Sequence, residues 1–132
     1  MTGYQEFTPV PVPAGLTPGA LGMCIRNAVD AAIEGGLLYA EGIALDRVLG
    51  VWYRHAWNAD KAGNAIDVTW GEDGARYIGR ACQVSRPLAL AAYRGVYDYI
   101  DRIGPPVPDG EFGLDCYTAQ QREWINAQRS TR

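Results

Sequence analysis

The chain has 132 residues, of which 48% are hydrophobic and 20% charged, and its formal net charge is −3 at pH 7. This length and balance are typical of one globular domain and exclude a wholly disordered protein. A weakly acidic chain without a basic run has no electrostatic reason to bind nucleic acid. The absence of an apolar stretch of membrane-spanning length and of a secretion-signal pattern leads us to expect a soluble, cytoplasmic protein with no membrane partner.

The three cysteines are widely spaced and form no CxxC pair; they are Cys24, Cys82 and Cys116. An odd number at this spacing disfavours both a structural zinc site and a full disulfide framework. Taken singly, each thiol is most simply a small buried hydrophobe. We therefore expect no structural zinc site at these cysteines.

The first nineteen residues carry four prolines at nearly alternate positions, Pro9, Pro11, Pro13 and Pro18. Proline fixes an extended backbone and cannot sit in a central strand. Residues 1–19 are therefore predicted to be an extended arm, and residues 20–132 a single domain.

Hydrophobic periodicity predicts the elements of that domain. A helix over 23–34 is ended by Gly35-Gly36, and strand-like segments follow over 38–45, 51–59, 65–70 and 76–84. A second helix begins after a Ser85 cap and carries an apolar stripe to Ile103, with a loop to Gly113 and a last short helix around Trp124. This order predicts an α+β fold in which the N-terminal helix, carrying a cysteine, packs on an antiparallel sheet, with helices at the C-terminus.

The most informative segment is the predicted hairpin over 51–70. A three-residue loop of Lys61, Ala62 and Gly63 would put His55 and Asp67 on one face of neighbouring strands, where a carboxylate can orient an imidazole. A loop of two or four residues would put them on opposite faces. Alone, a histidine among aromatic residues is more often structural.

Cys24 stands at the predicted start of the first helix. The helix dipole and the unsatisfied backbone N–H groups at that position favour a thiolate, and the same N–H groups can stabilise an oxyanion. Cys82 lies in a predicted alternating strand and is the poorer candidate for a nucleophile. Alone, a cysteine such as Cys24 is more often inert and buried.

Cys24 on a helix, His55 in HAWN and Asp67 in IDVTW follow one another in the order found in a known group of enzymes. With CIRNA, YAEGIAL and RYIGRAC, they resemble the transglutaminase-like branch of the papain-like cysteine enzymes, including small bacterial and phage proteins with that core. The resemblance covers about half the chain, from Met23 to Cys82. The sequence departs from the Asp-Pro-Thr of many relatives by having Val68 after Asp67.

The resemblance implies that Cys24 is the nucleophile, that His55 is the general base and acid, and that Asp67 orients the imidazole. The expected function is hydrolysis of an amide or ester in a protein or peptide-like substrate, or deamidation, in preference to cross-linking, because no amine-binding site is identified. This chemistry requires no metal and no organic cofactor, and we expect neither. Tyr53 and Trp57 share the predicted face of His55 and are candidates for walls of a substrate cleft.

Two further functions remain open at this level. The chain can be a non-catalytic phage or bacterial module that keeps the fold and binds a partner protein through its proline arm and aromatic residues. It can also be a structural component of an oligomer. The feature that separates these alternatives from the enzyme is an open site with the sulfur of Cys24 close to a nitrogen of His55.

Overall fold

A computed structural model describes residues 3–21 and 23–94 and the backbone of 111–112. Two helices and six strands are present in this part of the chain. In chain order they are β1 (Gln5–Pro9), α1 (Cys24–Gly35), β2 (Leu38–Asp46), β3 (Val51–Ala59), β4 (Asn64–Ile66), β5 (Gly74–Cys82), α2 (Arg86–Tyr93) and β6 (Glu111–Phe112). A short 3-10 turn over Gly71–Asp73 precedes β5.

Five of the strands close into a small barrel. They lie in the order β2-β5-β1-β4-β3, and β3 pairs back onto β2. β4 pairs with β3 only at Asn58 and Ala59, and β6 pairs with the same strand at Val51 and Trp52. Neither of these two short ladders reaches the middle of this edge of β3, where His55 lies.

Alternation along the strands gives the barrel an apolar interior. Two of the strands approach closely where Gly42 pairs with Gly79, because a Cβ at either position would lie 2.1 Å from a backbone oxygen of the opposite strand. Both positions therefore require glycine for steric reasons. The interior cluster contains Phe7, Ala40, Ala44, Trp57, Ala59, Ala65 and Tyr77.

The opposite face of the sheet packs against the two helices. Ser85 caps α2 by accepting a hydrogen bond from the Leu88 N–H, and Pro87 occupies the first turn. Leu88 and the apolar side of α1 then cover Tyr39 and Ala56 of the sheet. The full cluster contains Cys24, Ile25, Ala28, Val29, Tyr39, Ala56, Leu88 and Ala92.

The predicted α+β architecture is confirmed, with helices packed on a sheet and α1 beginning at Cys24. The predicted strand over 51–59 matches β3 at both ends, since alternation continues unbroken up to the turn. The sheet is mostly antiparallel, but β1 pairs in parallel with β4, and β6 in parallel with β3. Residues 5–9 of the predicted extended arm form β1, which lies between β5 and β4 with Phe7 buried, so this part of the arm belongs to the sheet.

The strand predicted over 65–70 is wrong beyond Ile66. Asp67 Oδ1 accepts hydrogen bonds from the backbone N–H groups of Thr69, at 3.0 Å, and Trp70, at 2.9 Å, and so closes a turn. Aspartate often competes with a ladder for nearby backbone donors in this way. The alternation of apolar residues here marks burial of the turn, and Val68 is buried without being in a strand.

The second helix ends at Tyr93 in the described part of the chain. The remainder of its predicted stripe to Ile103, the loop to Gly113 and the helix around Trp124 lie outside the described residues. Among the residues that are described, no helix has the length and apolar character needed to cross a membrane.

Candidate active site

His55 and Asp67 form a buried pair. The Nε2 atom of His55 lies 2.8 Å from Oδ2 of Asp67, and the two side chains are 0% and 2% exposed. The Lys61–Gly63 loop is closed as predicted, by a hydrogen bond from Gly63 N–H to the Asp60 carbonyl with Gly63 at φ +85°, and Asp67 lies one residue beyond the end of β4. A carboxylate only accepts, so Nε2 of His55 carries the hydrogen and Nδ1 is the basic nitrogen of the neutral ring.

The Asp67 carboxylate is held on both of its oxygens. Oδ1 accepts from the backbone N–H groups of Thr69 and Trp70, and Oδ2 accepts from His55 and from the Tyr77 hydroxyl, which lies 2.7 Å away. Burial alone would raise the pKa of this carboxyl, but the adjacent His55 ring and the surrounding donors outweigh burial and hold the pKa below its usual value. Asp67 therefore remains a carboxylate despite its burial.

Aromatic rings enclose the imidazole. Trp70 stacks on His55 with ring centroids 4.0 Å apart and an interplanar angle of 22°. Tyr53, one of the two predicted cleft residues, is half-buried and meets Trp70 edge to face at 5.5 Å. Trp57, the other, is fully buried in the barrel interior against Phe7. The ring that touches His55 most closely is thus Trp70, with Tyr53 behind it.

Cys24 is the first residue of α1 and is buried. Its sulfur is in a disulfide whose partner lies outside the described residues. The sequence spacing disfavours a disulfide framework, and this one bond departs from the expectation of free thiols because spacing along a chain does not report which cysteines folding brings together. A thiolate at Cys24 requires reduction of this bond.

The start of α1 is tied to the turn that contains Asp67. The Asn27 side-chain amide donates to Thr69 Oγ1 at 3.0 Å, while the backbone N–H of Gly19, just before the helix, donates to the Val68 carbonyl at 2.8 Å. Asn27 lies three residues after Cys24, so the two residues share a face of the helix. The helix that bears Cys24 is therefore anchored two residues from the carboxylate that holds His55.

A second amide fixes the helix against the sheet. Asn58, fully buried on β3, donates from Nδ2 to the Ala28 carbonyl at 2.7 Å and to the Leu38 carbonyl at 3.2 Å. Ala28 is one turn after Cys24 on α1, and Asn58 is three residues after His55. This contact sets the distance and angle between α1 and the strand that carries the histidine.

Cys82 is the free cysteine of the described residues, and it is half-buried at the end of β5. Burial, and then the negative charge of Glu41, raises the pKa of its thiol. Such a thiol is poorly nucleophilic at neutral pH, in keeping with its low rank as a candidate. Within the ranges that the structure describes, no cluster of three or more histidine, cysteine, aspartate or glutamate side chains is arranged to hold a metal ion.

Sequence reasoning missed four side chains that build this site. Asn27 and Asn58 tie α1 in place, Trp70 stacks on the imidazole, and Tyr77 bonds Asp67. The two asparagines carried a usable signal, since an amide on an otherwise apolar helix or strand face needs a partner when buried. The partners of Tyr77 and Trp70 depend on the turn after β4, and the alternating sequence pattern predicts a strand at that turn.

Comparison with protein-family models, with curated proteins and with solved structures finds no match to this chain.

Proposed function

We propose that the chain is a cysteine-dependent acyl enzyme whose nucleophile is Cys24, with His55 as general base and acid and Asp67 as the group that orients the imidazole. The observation that supports this most strongly is the buried His55–Asp67 pair, which leaves Nδ1 of the ring as a base of fixed orientation. The Asp67 carboxylate, held by four donors, can stabilise an imidazolium formed on His55.

The position of Cys24 supports the same proposal. The N-cap residue of α1, Met23, offers no side-chain hydrogen bond, so the first backbone N–H groups of the helix are not satisfied by a cap. These groups and the helix dipole lower the pKa of a cysteine thiol at such a position and can receive an oxyanion. The hydrogen bond from Asn27, on the same helix, to Thr69, two residues after Asp67, also supports the proposal.

The proposed reaction has two stages after activation. A two-electron reductant, such as a dithiol, becomes oxidised as the disulfide opens and releases Cys24 as a thiol. Nδ1 of His55 then takes the proton of the Cys24 thiol, and the resulting thiolate bonds to the acyl carbon. The C–N or C–O bond breaks as Nδ1 passes that proton to the leaving amine or alcohol. His55 next takes a proton from water, whose oxygen displaces Cys24 and releases the acid. The substrate class is a protein or peptide-like amide or ester.

The test is site-resolved alkylation of the reduced, folded protein with iodoacetamide at pH 6, read by peptide mass spectrometry. Cys24 is expected to react at least about tenfold faster than Cys82, because only an activated thiol keeps appreciable thiolate at this pH. His55→Ala is expected to remove the difference, and Cys24→Ala to remove the labelled peptide. Cys82 is the internal control, since its thiol is half-buried and not activated.

A second candidate function is a non-catalytic protein-interaction module, and two observations favour it. Cys24 is in a disulfide, and the side chains of His55 and Asp67 are sealed from solvent. If Cys24 in the reduced, folded protein reacts no faster than Cys82, the acyl enzyme is excluded and this second candidate gains.

A further inference from the structure

Tyr77 lies on β5 with its side chain inside the barrel and its hydroxyl on the Asp67 carboxylate. We propose that Tyr77 is a positioning residue that fixes Oδ2 of Asp67 and thereby keeps the hydrogen of His55 on Nε2 and the base on Nδ1. Its consequence for turnover rests on the proposed function. Its effect on the His55 ring does not.

The contacts around Oδ2 support this role. The hydroxyl of Tyr77 lies 2.7 Å from Oδ2, and Nε2 of His55 lies 2.8 Å from the same atom. Oδ1 is already committed to the backbone N–H groups of Thr69 and Trp70. The carboxylate is thus held at both ends of its O–C–O plane. Without the hydroxyl, Oδ2 would keep only the histidine, and one hydrogen bond fewer would fix the orientation of the carboxylate plane.

The tyrosine can act only as a donor in this arrangement. Burial first, and then the negative charge of Asp67, raises the pKa of the Tyr77 hydroxyl far above its usual range. The hydroxyl therefore stays protonated throughout the accessible pH range and donates a hydrogen bond to Oδ2. Donation to Oδ2 also lowers the tendency of that oxygen to take a proton from His55.

Gly74 gives an independent sign that the position of this hydroxyl matters. A Cβ at residue 74 would lie 1.7 Å from the Tyr77 hydroxyl oxygen. Gly74 has φ −82°, which any residue can adopt. Glycine is therefore needed at this position to leave room for the Tyr77 hydroxyl, and not for its backbone conformation. Substituting it by alanine displaces the hydroxyl together with the end of the Tyr77 ring, since the new Cβ would also lie 2.4 Å from Cζ, while the tyrosine side chain is kept.

Tyr39 is a matched control for Tyr77. Tyr39 is 0% exposed and Tyr77 is 1% exposed, but Tyr39 belongs to the cluster on the helix-facing side of the sheet. Tyr39→Phe therefore removes one buried tyrosine hydroxyl without touching Asp67. A merely structural effect of losing such a hydroxyl would appear in both variants.

The experiment uses nitrogen-15 NMR of the His55 ring, which is assigned without ambiguity because the chain has one histidine. The wild-type protein is expected to show one neutral tautomer with hydrogen on Nε2, and a slowly exchanging hydroxyl proton from Tyr77. In Tyr77→Phe the Nε2 hydrogen should exchange about tenfold faster or more, since a buried hydrogen bond to a charged group is lost. Gly74→Ala should shift the ring in the same direction, and Tyr39→Phe should leave it unchanged.

Turnover of a model acyl substrate supplies a second measurement. Tyr77→Phe is expected to lower kcat about tenfold with KM unchanged, because misorientation of a base affects the reaction more than substrate binding. An unchanged tautomer and exchange rate in Tyr77→Phe overturns the proposal, as does a rapidly exchanging Tyr77 hydroxyl proton in the wild-type protein, which needs no variant. If the ring responds while Cys24 fails the alkylation test, the positioning of His55 stands and the acyl enzyme does not. If Cys24 is activated and the ring does not respond, only the role of Tyr77 fails.

Discussion

Two side-chain pairs, each with a carboxylate as the acceptor, have almost equal lengths but differ in nearly every other respect. His55 and Asp67 lie 2.8 Å apart with side chains 0% and 2% exposed, whereas Arg76 and Glu6 lie 2.7 Å apart with side chains 44% and 49% exposed. The inner pair links β3 to the turn that follows β4. The outer pair joins β5 to β1 on the surface, with two hydrogen bonds from one guanidinium.

The comparison shows that distance alone does not decide how much such a pair contributes to stability. An exposed pair gains little, because water and salt screen its attraction and two long side chains lose rotamer freedom. A buried pair is costly to form, but it is much costlier to break by removing one partner. The barrel therefore tolerates changes at Glu6 far more readily than changes at Asp67.

The largest effect is expected from Asp67→Ala. The variant leaves His55, the Tyr77 hydroxyl and two backbone N–H groups without their acceptor in a buried site, which should lower the free energy of unfolding by about 3–5 kcal/mol. Denaturant unfolding at fixed disulfide state measures it, with Glu6→Ala as the exposed counterpart, expected to lose less than about 1 kcal/mol. Equal losses in the two variants would contradict the comparison.

An intermediate effect is expected from acid. The folded-state pKa of Asp67 lies below its usual value, so the ionised carboxylate stabilises the fold above the unfolded pKa of about 3.9. That stability is lost as the pH falls through the lower folded-state pKa. The difference in unfolding free energy between wild type and Asp67→Asn should therefore be constant near pH 5 and shrink below about pH 4.

The acid measurement has its own control in Glu6. The hydrogen bond from Arg76 lowers the pKa of Glu6, as the pKa of Asp67 is lowered, but the Glu6 carboxyl is half exposed. Glu6→Gln should remove only a small, salt-sensitive part of the acid dependence. A wild-type profile that Asp67→Asn leaves unaltered would show that the buried pair is not linked to the acid transition.

The smallest effect is expected at Arg76. A double-mutant cycle of Arg76→Ala and Glu6→Gln should give a coupling free energy of about 0.2–1 kcal/mol, falling in 1 M salt. Arg76→Ala alone should lose somewhat more than the cycle assigns to the pair, because its guanidinium also lies over the Trp52 ring at 5.4 Å. A coupling above about 2 kcal/mol would place the surface pair on a par with the buried one.

The parts of the site that follow from local rules could be predicted from the sequence. The alternation in β3 and the glycine of the Lys61–Gly63 loop are enough to predict how β3 pairs with β4 up to Ile66, the residue before Asp67, because strand period and turn length are local properties. The start of α1 at Cys24 follows in the same way from helical spacing and the glycines that end it.

The parts that depend on partners far along the chain could not be predicted. β1 is a strand because it pairs with β4 and β5, and nothing in its own sequence identifies those partners. The turn at Asp67 looked like strand because its apolar residues alternate, although the carboxylate takes the backbone donors. The bond at Cys24 likewise depends on where folding brings a second sulfur.

The insertion of β1 between β4 and β5 has a consequence for the order of assembly. β1 is the first strand in the chain, yet the two strands that flank it come after β3. During synthesis this segment must remain undocked until both of its neighbours have emerged, because neither edge it needs exists earlier. The ring of strands thus closes late, and the opening strand of the chain is the one that completes it.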